Sequence, residues 1–526
     1  MLSWKRPLIP SSLLRRIPMH ILWNGYLDIS NSSLKSHIES EIQSLNQKIK
    51  HLANNGFFDK ALHLYQHLRV SDTKPDRFTF TYVLKSCVGI STMAGGTSIH
   101  SHIIKCGFEH NLFVMNSVVE MYSRFGFLAS ARQVFNEMPQ RSLVSWNLMI
   151  SGYGTNGYPE AALELCSSMK HHGMALDKVG LKIVLPICGH VKAFKLGKSI
   201  HAHVVLLGLS RDTAISTAVL DMYAKCGELD IAEQIFDEIL NKDVVSWNAM
   251  ITGYSQIGKP KLVLELFNGM LSEGCKPSIP TMLLSLQACT HLSFLHMGKT
   301  VHGFIIRLGF SSDVSIKGLL IDMYSKCGEL GSACCVFSEI SEGNVSSWSC
   351  MINGLGMHGY GKEALMAFFG MLKRGIVPDD ICFLLLLASC SHCCLITEGR
   401  KMFYYMVTQF GVRLNMEHYA SMVDLIGRAG CIEEALGFIH EMPMEPDCSV
   451  VGAFLGACRI HGHLEMGKVF EECLVGSGWT IAGFYKLLLS IYAGKDRWDE
   501  VMKIRSVMEE KKVKGISGCS LIELNR

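Results

Sequence analysis

The chain has 526 residues, 48% of them apolar, and its 50 Lys and Arg nearly balance 47 Asp and Glu, leaving a formal net charge of +3. So even a balance excludes a bulk polycation, and a polyanionic partner would have to be met by individually placed residues. The longest apolar run, Ile381 to Ala388, falls far short of the roughly 20 residues that a membrane-spanning helix needs, so no membrane insertion is expected.

In chain order, the first segment is basic: Lys5, Arg6, Arg15 and Arg16 precede the first acidic residue, Asp28. Leu, Ser and Ile fill the spaces, as in Ser11-Ser12-Leu13-Leu14-Arg15-Arg16-Ile17. This is similar to an organellar transit peptide and lacks the uninterrupted apolar centre of a secretory signal; a disordered basic tail is the alternative. Arginine beside a modest serine content favours a mitochondrion over a plastid. Residues 1–41 are set apart as transit peptide and N-terminal extension.

From residue 42 the chain repeats. Trp146-Asn147, Trp247-Asn248 and Trp348-Ser349 lie 101 residues apart. The same step separates Tyr122, Tyr223 and Tyr324, then His100, His201 and His302, and also Cys87, Cys188, Cys289 and Cys390. A fixed period of this kind marks a repeat architecture, and residues that recur with it are expected to be scaffold. That covers six of the 20 cysteines, Cys226 and Cys327 forming another such pair, as buried packing residues rather than disulfides. Cys390-Ser391-His392-Cys393 contains a Cys-x-x-Cys, but no second pair stands at zinc-site spacing, so neither a metal nor any other cofactor is expected.

Each 101-residue block divides into pieces of 35, 35 and 31 residues. In the piece 244–278, Trp247, Met250, Ile251 and Tyr254 fall on one face of a helix, and Gly258 interrupts the pattern. Val263, Leu266, Phe267 and Met270 form a second stripe, closed by Gly274 and Pro277. Such a helical hairpin cannot bury both apolar faces alone, whereas stacked hairpins can. The fold expected is therefore all-α, a right-handed superhelical solenoid with a long inner groove. Counting outward gives hairpins at 42–76, 77–111, 112–142, 143–177, 178–212, 213–243, 244–278, 279–313, 314–344, 345–379, 380–415 and 416–447. A one-residue insertion sets Asp424 102 residues after Asp322. Two less regular hairpins continue to about residue 515 within the C-terminal region 448–526.

At these residues the chain resembles plant pentatricopeptide repeat (PPR) proteins of the PLS subclass. The P-like piece reads Val-Val-Ser-Trp-Asn-Ala-Met-Ile-Thr-Gly-Tyr at 244–254, and the S-like piece Asp-Met-Tyr-Ala-Lys-Cys-Gly-Glu-Leu at 221–229, nearly repeated from 322. L-like pieces carry Gly-Lys-Ser-Ile-His-Ala-His at 197–203 and Gly-Lys-Thr-Val-His-Gly at 298–303. The order covers 42–447. Gly456-Ala-Cys-Arg-Ile-His-Gly-His463, Arg497-Trp498 and Gly518-Cys-Ser-Leu-Ile-Glu523 resemble the E region that follows such arrays, with Leu521 in place of a usual tryptophan. The resemblance implies a binder of single-stranded organellar RNA, and the E-like segment implies a site-recognition factor for C-to-U editing.

It also implies which residues read RNA: the fifth of each hairpin and the last, at the junction with the next, since repeats of this kind read one base each. An amide both donates and accepts, so it can satisfy a Watson–Crick edge. By resemblance, Asn46/Asp76 is uracil-like, Thr81/Asn111 adenine-like, Asn116/Ser142 cytosine-like and Asn147/Asp177 uracil-like. Thr217/Asp243 is guanine-like, Asn248/Ser278 cytosine-like and Ser349/Asp379 guanine-like. Lys182, Leu283, Gly318, Leu384 and Ala420 fit no pair, leaving a 5′-to-3′ core of U-A-C-U-N-G-C. An aliphatic second residue, such as Val144 or Val245, could pack against a base face. The plainer reading of all these polar residues is helix capping, for which Asn, Asp, Ser and Thr are the favoured types.

No catalytic residues are expected. A zinc deaminase needs His-x-Glu followed by Cys-x-x-Cys, and the sequence reaches Arg526 with neither after the E-like region. His37-Ile38-Glu39 supplies only the first half, ahead of the repeats. The expectation is thus an adaptor that recruits a DYW-type deaminase and editing cofactors in trans. The alternatives are an organellar splicing, stability or translation factor, or a protein-binding helical scaffold.

Overall fold

Between Asp243, Gly258 and Ser278 the local signals are realised as two helices. Val244–Gln256 begins at the Asp243 cap, whose side chain accepts from Ser246 N. Gly258, at φ +69°, turns the chain in the left-handed region that glycine enters freely. Pro260–Ser272 follows with proline in its first turn, where the missing N–H costs nothing. Trp247, Met250, Ile251 and Tyr254 are buried on the first helix; Val263, Phe267 and Met270 are buried on the second, where Leu264 lies deeper than Leu266.

The structure is a computed structural model that describes residues 44–70, 75–340, 343–463, 489, 492–493 and 497–510. All regular secondary structure among the described residues is helical, and none of their helices is long and apolar enough to cross a membrane. The transit-like segment, His37–Glu39 and the motif at 518–523 lie outside the described residues. The chain forms two compact units, Met1–Val191 and Lys192–Arg526. Each is a stack of helical hairpins, a helical-repeat solenoid, in which first helices pack on first helices and second helices flank them.

The 101-residue step reappears as repeated geometry. Trp146, Trp247 and Trp348 each meet the ring of Phe135, Phe236 or Phe337 edge-on at 4.9, 4.8 and 4.7 Å. His100, His201 and His302 share hydrogen bonds from Nδ1 to the hydroxyls of Tyr122, Tyr223 and Tyr324 at 3.1, 3.1 and 2.9 Å. Both contacts join one hairpin to the next, so these side chains are scaffold. Gly152 and Gly253 let first helices approach closely: a Cβ on Gly152 would lie 2.6 Å from Ser123 Oγ, and one on Gly253 3.0 Å from the Ala224 Cβ.

Two features follow the period without being foreseen. Ser91, Lys192, Ser293 and Cys394 hold left-handed φ of +51° to +55° where other hairpins turn on glycine. The second helices Leu128–Glu137, Leu229–Glu238 and Leu330–Ser338 are only 9 or 10 residues long, which accounts for the 31-residue pieces. The packing also runs on into the C-terminal region. Cys448–His461 lies against Met416–Arg428, and His461 Nε2 bonds Arg428 O at 3.0 Å. The same bridge joins His358 to Ser325 O at 2.8 Å and Asn156 to Ser123 O at 2.9 Å.

Candidate nucleic-acid interface

The fifth and last positions differ in what local structure demands of them. Asp76, Asn111, Asp177, Asp243 and Asp379 cap the following helices, accepting from backbone N–H groups two or three residues on, and Ser142 does so within a reciprocal capping box. Capping therefore accounts for the junction residues. It does not account for the fifth residues, which lie more than a turn inside their helices. Asn116, Asn147, Thr217 and Ser349 are nonetheless buried polar side chains, a placement that ordinarily requires a hydrogen-bond partner.

The structure joins several pairs across hairpins. Asn147 Nδ2 donates to Asp177 Oδ1 at 3.0 Å, and Asn248 Nδ2 donates to Ser278 Oγ at 2.9 Å. Asn46 reaches Asp76 through Thr79, whose hydroxyl bonds Asn46 Oδ1 and lies 2.7 Å from Asp76 Oδ1. Other predicted readers are left less satisfied. Asn116 Oδ1, Asn147 Oδ1 and Thr217 Oγ1 are buried with no partner, and Ser349 Oγ has only the Cys382 thiol beside it. Thr81 turns its hydroxyl back onto Phe78 O at 2.8 Å, away from Asn111. The fifth positions without a code are varied: Lys182 is exposed, Leu283, Leu384 and Ala420 are half-buried, and Gly318 leaves open space, with Ser346 Oγ at 4.0 Å the nearest atom to a Cβ placed there.

Beside these pairs the second positions form an exposed apolar series. Val144, Val179 and Val245 are 57%, 56% and 56% exposed, and Phe78, Phe113 and Ile381 are also exposed. The aromatic members Phe78 and Phe113 offer π-faces of the kind on which bases stack, and they stand at the same register as the aliphatic Val144. Arg77 stands over the Phe78 ring, 4.8 Å from its centre.

The recurrent cysteines are unlike reactive or metal-binding thiolates. Cys87, Cys289 and Cys390 are wholly buried, and burial pushes their thiols up to about 11, 12 and 12. A metal ligand needs the thiolate, which an electropositive setting would favour and burial opposes. Cys393, the other half of the Cys-x-x-Cys, directs its Sγ to Gly356 O at 3.8 Å.

Known proteins agree with this hairpin arrangement. The profile of the PPR repeat matches residues 113–143, 144–174, 215–244, 318–345, 346–376 and 417–445, and that of the PPR repeat family matches 242–291. A mitochondrial pentatricopeptide repeat-containing protein of Arabidopsis thaliana is 35% identical over 513 residues, covering 96% of this chain and 76% of the relative. A chloroplastic one is 35% identical over 486 residues, and the match covers 92% of this chain and 60% of that relative. The crystal structure of the maize pentatricopeptide repeat protein PPR10 in complex with an 18-nucleotide psaJ RNA element aligns with a TM-score of 0.56 at 15% identity, over 90% of this chain and 85% of that one. That structural likeness is one of fold.

Proposed function

Because the chain belongs to the pentatricopeptide repeat family, we propose that it binds single-stranded RNA in an organelle, reads one base per hairpin, and marks a cytidine for C-to-U editing. The observation that carries base reading is the in-register pair of fifth and last residues. Its members touch in Asn147/Asp177 and Asn248/Ser278, yet their identities vary along an otherwise repeated scaffold. In each, an amide with donor and acceptor atoms lies next to a side chain of different charge or hydroxyl character, which suits discrimination among base edges. The exposed second residues supply flat or apolar surface for the base itself.

The relatives named mitochondrial and chloroplastic support an organelle, and the arginine-bearing N-terminal segment favours the mitochondrion. The PLS order and the E-like stretch Gly456–His463 support editing, with a DYW-type deaminase and its cofactors as separate partners. In this reading the array chooses the site, and no residue of it moves protons or binds metal. Two measurements test it. Asn147→Ala should cost about 1–3 kcal/mol of binding and relax preference at one base; equal weakening on every RNA would remove the base-reading role. Organellar transcripts from plants with and without the gene should differ in conversion of at least one cytidine. A change confined to splicing, abundance or translation would instead select that second reading, and tight binding of peptide without RNA affinity would select the scaffold.

A further inference from the structure

Two pairs of hairpins share the same fifth and last residues but differ one helical turn into the next hairpin. Asn248/Ser278 and Asn116/Ser142 are chemically identical pairs, as are Asn46/Asp76 and Asn147/Asp177. The third residue of the following hairpin is Thr281 or Thr79 in one member of each pair, and Ser145 or Gly180 in the other. Where threonine stands there, a hydroxyl meets the asparagine carbonyl: Thr281 Oγ1 donates to Asn248 Oδ1 at 2.6 Å, and the one Thr79 hydroxyl proton is shared between Asn46 Oδ1 and Asp76 Oδ1. Elsewhere none does. The Ser145 hydroxyl lies 3.1 Å from both Ser142 N and Ser142 Oγ, as Thr281 Oγ1 lies 3.0 Å from Ser278 N and Oγ, but unlike Thr281 it does not reach the amide; Gly180 has no side chain to offer, and Asn116 Oδ1 and Asn147 Oδ1 are buried without partners.

We infer that Thr281 and Thr79 are positioning residues that set the sharpness of base reading by fixing which way the neighbouring amide faces. This rests on the reading of the fifth residue as a base reader. Asn248 has its Oδ1 accepting from Thr281 and its Nδ2 donating to Ser278, leaving one N–H and one lone pair in a set orientation. An amide torsion is otherwise broad and nearly two-fold, so half a turn exchanges donor for acceptor. Cytosine and uracil differ by that same exchange, because N3 accepts in one and donates in the other. A fixed amide separates these bases, whereas Asn116, with its carbonyl orphaned, can turn to suit either; Asn147 keeps one hold, its Nδ2 donating to Asp177 Oδ1. Thus Asn248/Ser278 and Asn116/Ser142, equal by residue type, differ in how strictly they tell cytosine from uracil.

The test uses the full chain and four oligoribonucleotides bearing the U-A-C-U-N-G-C core, varied only at the seventh base, opposite hairpin 244–278. Thr281→Val keeps the shape and removes the hydroxyl; it should narrow the cytosine-to-uracil affinity ratio at that base by roughly fivefold, the scale of one net hydrogen bond. Thr281→Ser should narrow the ratio as well, because Ser145 at the equivalent place leaves the Asn116 carbonyl unheld. A merely structural role would lower the melting temperature and weaken all four RNAs equally, which overturns the proposal. If Asn248→Ala abolishes the ratio while Thr281→Val leaves it intact, base reading stands and the positioning role falls. If Asn248→Ala leaves the ratio unchanged, both fall together. Should Thr281→Val not fold, Ser145→Thr decides, since Thr79 and Thr281 are accommodated with full burial at the equivalent position. It should widen the ratio at the third base, and an unchanged ratio overturns the proposal.

Discussion

Hairpins 143–177 and 244–278 are one 101-residue step apart, and comparing them separates scaffold from message. Their tryptophans meet the preceding phenylalanine at 4.9 and 4.8 Å, with interplanar angles of 79° in both. Both turn on a left-handed glycine, Gly157 or Gly258. At their fifth and last residues they diverge: Asn147 meets the charged carboxylate of Asp177, while Asn248 meets the neutral hydroxyl of Ser278 and is also held by Thr281. Packing tolerates little change, because an interior at crystal-like density feels a single methylene. The edge tolerates a change of charge because its residues end in side chains that the core does not need. A solenoid can therefore keep one architecture while the residues at this edge change hairpin by hairpin.

The largest expected effect breaks the shared half of the comparison. Trp247→Ala removes a buried indole from between hairpins and should cost about 3–5 kcal/mol in denaturant unfolding. Trp146→Ala should do the same, because the two contacts are alike. Unequal losses well outside that range would mean that the repeated geometry does not carry equal energy.

Exchanging the divergent half comes next. Asp177→Ser and Ser278→Asp together should shift preference at the fourth base toward cytosine and at the seventh toward uracil. Each shift should be about 1–3 kcal/mol, read by equilibrium binding to RNAs varied at one position. Retained preferences would show that junction identity does not set the base.

The smallest effect concerns pH. Burial holds His302 below the ordinary histidine pKa, with Glu339 opposing, and burial acts in the same direction on His100 and His201. The folded state thus disfavours the protonated ring that the unfolded chain acquires near about 6.5. Stability should be full above that pH and fall as pH drops toward the lower folded value. Denaturant midpoints from pH 7.5 down to 5.5 should show the decline, and His302→Gln should lessen its slope. An unchanged slope in that variant would assign the decline to other groups.

Much of the fold was legible because its signals are local. Hydrophobic spacing announced Val244–Gln256 and Pro260–Ser272, and Asp243 and Gly258 announced their boundaries. The recurrence of His100, His201 and His302 marked them as scaffold, although their tyrosine partners could not be named until the hairpins were stacked. The left-handed Ser91, Lys192, Ser293 and Cys394 are not legible in the sequence, because these residue types do not mark a left-handed turn as glycine does. Of the candidate site, the register of fifth, last and second residues was readable. Phe78 and Phe113 shared that register, but an aromatic residue beside a helix start looks the same whether it enters the core or faces outward.

What the sequence by itself determined is the period, the helical hairpins and the positions where identity varies, all set by spacing within one or two turns. Only the tertiary structure decided how each fifth residue is held. Asn248 and Thr281 are far apart in the chain and meet because two first helices pack side by side, placing a hydroxyl 2.6 Å from a carbonyl. Asn147 lacks that contact because Gly180 stands at the matching place, where a Cβ would lie 2.9 Å from Asn147 Oδ1. A hydrogen bond depends on tenths of an ångström between separate helices, and that distance is fixed by packing rather than by spacing along the chain.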